Sequence, residues 1–184
     1  MFAVDIETLS NKERAVVLSC ALTWFDETEE QTFDSLVKNT CFVKFDAKEQ
    51  IEKYNRTVSK STLEWWKKQS VEAQKFSLKP SKLDMPLVEG IRKLRDYTRK
   101  YSKGKELVFC RGSLDQFVLF DLFEQLEMPQ LFEYYQFRCF RTAIECLKDN
   151  VERGYCPVPG LDMNRVIPHN PVHDNCRDIM MLLS

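Results

Sequence analysis

Phe2-Ala3-Val4-Asp5-Ile6-Glu7-Thr8-Leu9 is the stretch on which the fold turns. Within residues 2–6 apolar side chains occupy both alternating faces, the pattern of a strand covered on both sides. Such a strand belongs inside an α/β sheet, yet this one carries two acids. Asp5 and Glu7 alternate around Ile6, so both side chains leave one face, with Cα atoms about 6–7 Å apart at ~3.3 Å of rise per residue. An isolated pair of this kind is commonly a polar strand edge. Among buried neighbours, unpaired carboxylates are strongly destabilising unless a cation compensates them. Two carboxylates on one edge can share such cations.

Outward from this strand, residues 15–25 form a longer β-branched and aromatic run, reached through a turn at 10–14. A third strand is expected within residues 31–38, giving a β-β-β meander. From Ser59 the period changes: Ser61, with Glu64 three positions later, predicts a capped helix using Leu63, Trp66 and Ala73. Residues 84–101 give an amphipathic helix through Leu87, Ile91 and Leu94. Residues 106–110 then read as a buried strand, 113–126 as a helix with Leu114, Phe117, Phe120 and Phe123 inward, and 134–140 as another strand. Residues 149–168, rich in Gly and Pro, predict a long loop. Asn170-Pro171 supplies an N-cap and a first helical turn for the final helix, 172–183.

The 184 residues fit one α/β domain, 1–184. Hydrophobic residues at 43% and charged residues at 30% exclude a disordered or fibrous chain. A net charge of −1 excludes a protein that coats nucleic acid through a general basic excess, so any such contact is local. The seven cysteines lack the paired spacing of a disulfide framework or a zinc ribbon and read as reduced thiols. With no secretory leader pattern and no run of ~18 apolar residues, a cytoplasmic location is expected, in a host cell if the gene is phage-borne.

Three further residues stand where strands or loops meet helices, the region in which α/β folds gather their sites. Asp115 opens the Phe-rich helix just after the 106–110 strand. Asp174 lies in the first turn of the last helix. Each is by itself an ordinary helix-dipole carboxylate. His169 is more telling, because five residues of continuous helix would turn it ~140° away from Asp174. The Asn170-Pro171 break lets His169 precede the helix on a mobile loop while Asp174 stays fixed, an arrangement suited to a fixed metal ligand and a base that swings in with substrate.

Asp5-Ile6-Glu7-Thr8-Leu9, Ser113-Leu114-Asp115 and His169-Asn170-Pro171-Val172-His173-Asp174 together resemble, in order and spacing, the three motifs of the DEDDh branch of DnaQ-like 3′→5′ exonucleases. The likeness extends to Ser61-Thr62-Leu63-Glu64-Trp65-Trp66, Cys110-Arg111-Gly112 and Arg141-Thr142-Ala143-Ile144-Glu145. These segments are similar to exonuclease A of T4-type bacteriophages and the related short exoribonuclease-like proteins, over nearly the whole chain. The resemblance implies a ribonuclease H-like fold with a five-stranded mixed sheet. It also implies release of nucleoside 5′-monophosphates from a 3′ end. By the same resemblance the metal ligands fall on Asp5, Glu7, Asp115 and Asp174, and the base on His169. Cys139 stands where the relatives usually carry an acid, so it is not assigned to metal, and a C-terminal tail of the phage relatives has no counterpart here.

Hydrolysis of a phosphodiester needs an activated water, relief of charge on the phosphorane and help for the leaving 3′-oxygen, all of which two hard cations, Mg²⁺ or Mn²⁺, provide with oxygen ligands. Thr8 and Leu9 are expected at the terminal nucleotide, Trp65 as a stacking surface with Trp66 in the core, and Arg111 and Arg141 as phosphate contacts or salt-bridged side chains. The expected substrate is single-stranded DNA with a free 3′ end, with an exoribonuclease or oligoribonuclease as the alternative. A zinc module built from His169, His173, Cys176 and Cys156 is the rival of another class, although its spacing matches no established finger.

Overall fold

The computed structural model describes residues 1–149 and 151–184; Asn150, in the expected 149–168 loop, lies outside the described residues. In chain order the elements are β1 (Phe2–Thr8), β2 (Val17–Trp24), α1 (Phe33–Lys38), β3 (Thr40–Phe45), α2 (Ala47–Tyr54), α3 (Lys60–Trp66) and α4 (Val71–Ala73). A π-helical turn, Gln74–Leu78, continues α4. There follow β4 (Asp84–Met85), α5 (Leu87–Tyr101), β5 (Val108–Cys110), α6 (Leu114–Gln125), β6 (Phe137–Cys139), α7 (Phe140–Leu147) and α8 (Pro171–Leu183). The strands form one mixed sheet in the order β4-β3-β2-β1-β5-β6. β1, β2 and β3 are the antiparallel meander, while β5 runs parallel to β1 and β6 to β5. The sheet has six strands where five were expected, the extra one being the two-residue edge β4 beside β3.

β1 is covered on both faces. Phe2, Val4 and Ile6 pack toward Leu87, Ile91 and Leu94 of α5 and Val118 and Leu122 of α6. Ala3 packs on the other side, with Phe33 and Leu36 of α1 and Val172, Cys176 and Ile179 of α8. Each fully buried large side chain of this kind contributes about 1.5–3 kcal/mol. Alternation then directs Asp5 and Glu7 toward the face that carries α8. Asn175 of α8 ties that helix to the sheet, donating from Nδ2 to the carbonyls of Ala3 (3.2 Å) and Ala21 (3.0 Å).

Several elements depart from the sequence reading for local reasons. The strand expected within 31–38 is instead helix α1, and the strand follows at Thr40–Phe45. Thr32 and Ser35 close a reciprocal capping box, Thr32 Oγ1 accepting from the Ser35 N–H at 3.1 Å, and this outweighs the β preference of Thr, Phe and Val. The cap of α3 is Ser59 rather than Ser61; the two hydroxyls bond each other at 2.7 Å instead of capping. Phe117, expected inward, is 47% exposed, and Val118, Leu119, Leu122 and Phe123 fill the core. The strand expected over 134–140 shrinks to β6, since residues 134–136 form a 3₁₀ turn and Phe140 begins α7. The final helix matches the reading, with Asn170 Oδ1 accepting from the Val172 N–H and Pro171 in the first turn. No helix among the described residues is long and apolar enough to cross a membrane.

Candidate active site

β1 outlasts its parallel neighbour: β5 pairs with it only at Phe2 and Ala3, and then the chain turns through residues 111–113 into α6. Beyond the end of β5 the Ile6 N–H donates to Asp115 Oδ1 at 3.0 Å. The first turn of α6 is thereby fixed against β1 between its two acids. On the opposite side β1 has a register shift against β2 between Glu7 and Thr8, the kind of local irregularity that re-aims side chains next to sites.

α8 closes the group. Its cap leaves His169 just before the helix with a left-handed backbone, φ 62°. The His169 N–H donates to Asp174 Oδ2 at 2.8 Å, and His169 Nδ1 lies 3.7 Å from Glu7 Oε1. The His169 carbonyl accepts from Ser77 Oγ at 3.0 Å, and its ring meets that of Trp65 in a T-shaped contact at a centroid distance of 4.6 Å. The loop expected to swing is therefore fastened here on several sides. One atom each of Glu7, His169 and Asp174 converge within 4.8 Å of one another, a spacing at which a single cation can be held.

The electrostatics are those of a crowded acidic cage. Burial lifts the Asp5 carboxyl well above the usual range, and Glu7, Asp115 and Asp174 raise it further. Burial likewise brings Glu7 to about 7, against the opposing pull of His169, and Asp115 to about 7, against its bond from the Ile6 amide. Asp174 is also raised by burial, although Arg177 draws it down. His169 is raised by the Glu7 carboxylate beside it, with its own burial opposing. One oxygen, Asp5 Oδ2, is sealed from solvent with no hydrogen-bond partner. A buried carboxylate oxygen without a donor is a costly arrangement that a hard divalent cation relieves, and clustered carboxylates are the oxygen donor set that such an ion accepts.

Beside this cage lies a cavity of about 410 Å³, lined in part by Glu7, Thr8, Thr62 and Trp65. Its volume falls in the range of small-ligand sites. Trp65 is 40% exposed there, whereas Trp66 is fully buried and donates from Nε1 to the Thr8 carbonyl at 2.9 Å. Other anticipated contacts lie elsewhere. Leu9 is buried with Val16, Leu18 and Trp66. Arg111 forks onto Asp178 at 2.6 and 2.9 Å and also donates to the Gly154 carbonyl, so its donors are engaged within the fold. Arg141 is exposed on α7 and does not line the cavity. The residues of the zinc alternative stay apart from one another's chemistry: His173 Nδ1 accepts from the Ile167 N–H, and Cys176 is fully buried in the core.

Arg177 escaped the sequence reading. Its guanidinium holds Asp174 Oδ1 at 2.5 Å and Asp178 Oδ1 at 3.0 Å, and Tyr155 stacks near both Arg177 and Arg111. The signal was present as an acid and a base three apart on one helix.

The Rv2179c-like family, described as a 3′-5′ exoribonuclease domain, matches residues 1–180. This chain belongs to that family. It is also 34% identical over 199 aligned positions to the exodeoxyribonuclease of Enterobacteria phage T4, covering 98% of this chain and 86% of that protein. As a member of the Rv2179c-like family it is a hydrolase, a 3′→5′ exonuclease acting on nucleic acid, and its mixed sheet flanked by helices is the ribonuclease H-like fold expected of a DnaQ-like enzyme.

Proposed function

We propose that this exonuclease acts as a single domain, residues 1–184, to release nucleoside 5′-monophosphates from the 3′ end of single-stranded DNA. Asp5, Glu7, Asp115 and Asp174 hold two divalent cations, Mg²⁺ or Mn²⁺, and His169 is the general base. The observation that carries this reading is the unpartnered, sealed Asp5 Oδ2 amid three further carboxylates. A binding-only protein has no use for such repulsion beside a polyanion. When bound, the cations would supply Lewis-acid charge for the phosphate and lower the pKa of the attacking water.

The chain's own groups supply the rest. Asp174 receives the His169 N–H and Arg177 steadies its other oxygen, so the imidazole is presented by a fixed helix end. Glu7, close to Nδ1, orients the ring and stabilises the imidazolium formed when Nε2 takes the proton from water. Trp65 gives the terminal base a stacking face, and Thr8 gives the sugar a backbone edge. What supports DNA is the near full-length similarity to an exodeoxyribonuclease; what favours RNA as the second reading is the family's description as exoribonuclease.

The test is a single incubation series: 5′-labelled single-stranded DNA and RNA of one sequence, with Mg²⁺, Mn²⁺ or EDTA. A ladder shortening from the 3′ end, faster on DNA and abolished by EDTA, is expected. Faster cleavage of RNA transfers the assignment to the second reading, and activity that persists in EDTA overturns the metal mechanism.

A further inference from the structure

The outer face of α5 carries a concentrated positive charge that the acidic cage does not use. Residues 87–105 hold seven cations against Glu89 and Asp96, so in a chain of net charge −1 the remainder has a negative excess. Leu87, Ile91 and Leu94 turn inward. That leaves Arg92, Arg95 and Arg99, at i, i+3 and i+7, in a row about 10 Å long at ~1.5 Å of rise per residue. The row lines two adjoining grooves of about 340 and 320 Å³ that share Arg95 and Arg99, with Met128, Pro129 and Gln130 contributing the other lining. We infer that this row is a docking groove for the sugar–phosphate backbone of the nucleic-acid substrate, gripping the strand well upstream of the 3′ end being cut.

The charge is available for such a partner. Among the described residues, the ion pair that these three guanidinium groups form is Arg99 with Asp96, at 3.8 Å and exposed on both sides. A pair of that kind is weak and readily exchanged for a phosphate. Arg95 is held in place, since it donates to the Pro129 carbonyl and lies over the Phe123 ring at 5.5 Å. Guanidinium forks match phosphate oxygens, and a row of them suits a repeating anion better than a compact one.

Placement says which part of the strand is held. α5 packs on the face of the sheet opposite α8. It runs from Gly90, against Phe45, to Tyr101, whose hydroxyl donates to Asn39 Oδ1 at 2.9 Å. The strand registers put the Asn39 end of β3 beside Trp24 and Phe2, whereas Lys44 lies level with Ser19 and Glu7. The row therefore descends away from the cage. A strand with its 3′ end at Glu7 has to travel roughly 23 Å along seven residues of β1 and pass a helix layer ~10 Å thick to reach it. At ~3.4 Å of rise per nucleotide this takes on the order of ten nucleotides, so the groove favours long substrates over short ones. The inference rests on the cage being where the 3′ end is cut.

The experiment uses thymidine strands of five and thirty nucleotides. Binding of the 30-mer is followed in EDTA, without cleavage, as a function of salt. In an Arg92→Gln, Arg99→Gln double variant the slope of log Kd against log salt becomes shallower by about 0.7 for each phosphate no longer neutralised. A Lys48→Gln, Lys53→Gln control, which removes two exposed cations from α2, keeps the parent slope. In Mg²⁺ the parent has a lower KM for the 30-mer than for the 5-mer. The α5 variant loses that advantage while its KM for the 5-mer stays at the parent value. An unchanged slope in the α5 variant, an equal loss in the control, or a KM for the 5-mer that rises with that for the 30-mer overturns the groove. Displacement of the 30-mer by polyglutamate at equal charge concentration overturns it too, in favour of an acidic protein segment. Failure of the cage reading shows separately, as a parent that binds the 30-mer with the full salt slope yet shortens neither strand. Arg92 and Arg99 are exposed, so their replacement leaves the core intact, which thermal unfolding verifies.

Discussion

At the scale of single residues, the proton affinities of the acidic cage have a direct consequence for stability. Glu7 and Asp115 both stand at about 7 in the folded, metal-free chain, whereas unfolded they release protons near 4. A carboxyl that binds its proton more tightly when folded makes the protein less stable as pH rises through that interval. In EDTA the melting temperature should therefore fall between about pH 4 and pH 7. Glu7→Gln and Asp115→Asn should each blunt the fall, adding on the order of 1–3 kcal/mol at neutral pH while abolishing hydrolysis. Variants that melt lower than the parent at pH 7 would contradict this repulsion. His169→Ala should slow turnover by ~10²–10⁴ and flatten the acidic limb of the pH–rate profile; a profile identical to the parent's excludes it as base. The grouping of Asp5, Glu7, Asp115, His169 and Asp174 in space was expected from the resemblance of their motifs to the DEDDh exonucleases, whereas each residue read alone was more simply a polar strand edge, a helix-dipole carboxylate or a loop histidine. Of the alternatives weighed for Arg111 the salt-bridged one holds, but its partner and the role of Arg177 were not legible. An arginine's partners depend on which elements come to face one another, and Asp178 meets Arg111 only after residues 67 positions apart have packed together.

At the scale of elements, periodicity was a good guide where a helix is long and amphipathic, as in α5 and α8, and a poor one where a short cap decides. Thr32-Phe33-Asp34-Ser35 reads as β-prone, yet two side-chain bonds to backbone amides wind it into α1. The helix α2 went unread although Asp46 accepts from the Glu49 N–H, a cap pattern visible in the sequence. α5 also contains a glycine that propensity alone would mark as a weakness. A Cβ at Gly90 would press into the Phe45 ring and come within 2.7 Å of Val43 Cγ1, both on β3. Overpacking of about 1–3 kcal/mol should exceed the ~1 kcal/mol of helix propensity gained, so Gly90→Ala should lower the midpoint of urea unfolding. A midpoint above the parent's would mean that α5 can shift away from the sheet without loss.

For the molecule as a whole, the metal-binding role proposed for the crowded carboxylates would make folding and metal binding one equilibrium. Mg²⁺ or Mn²⁺ at a hundred times its dissociation constant should stabilise the parent by about 2.7 kcal/mol in thermal unfolding, and Asp5→Ala should lose most of that gain. An equal shift in both proteins would remove Asp5 from the ligand set. The global topology was only partly legible: the meander and the later alternation of strand and helix follow from sequence pattern, but the order β4-β3-β2-β1-β5-β6 depends on β1 receiving β5 along its free edge, which no local signal encodes. One tie across that topology has a biological corollary. Asn175 grips the carbonyl of Ala3 from 172 positions away. Asp174 and His169 come to lie beside Asp5 and Glu7 only once α8 has been made and packed on β1. A chain cut short before α8 therefore lacks an assembled acidic cage, and the proposed cutting centre cannot form on β1 alone.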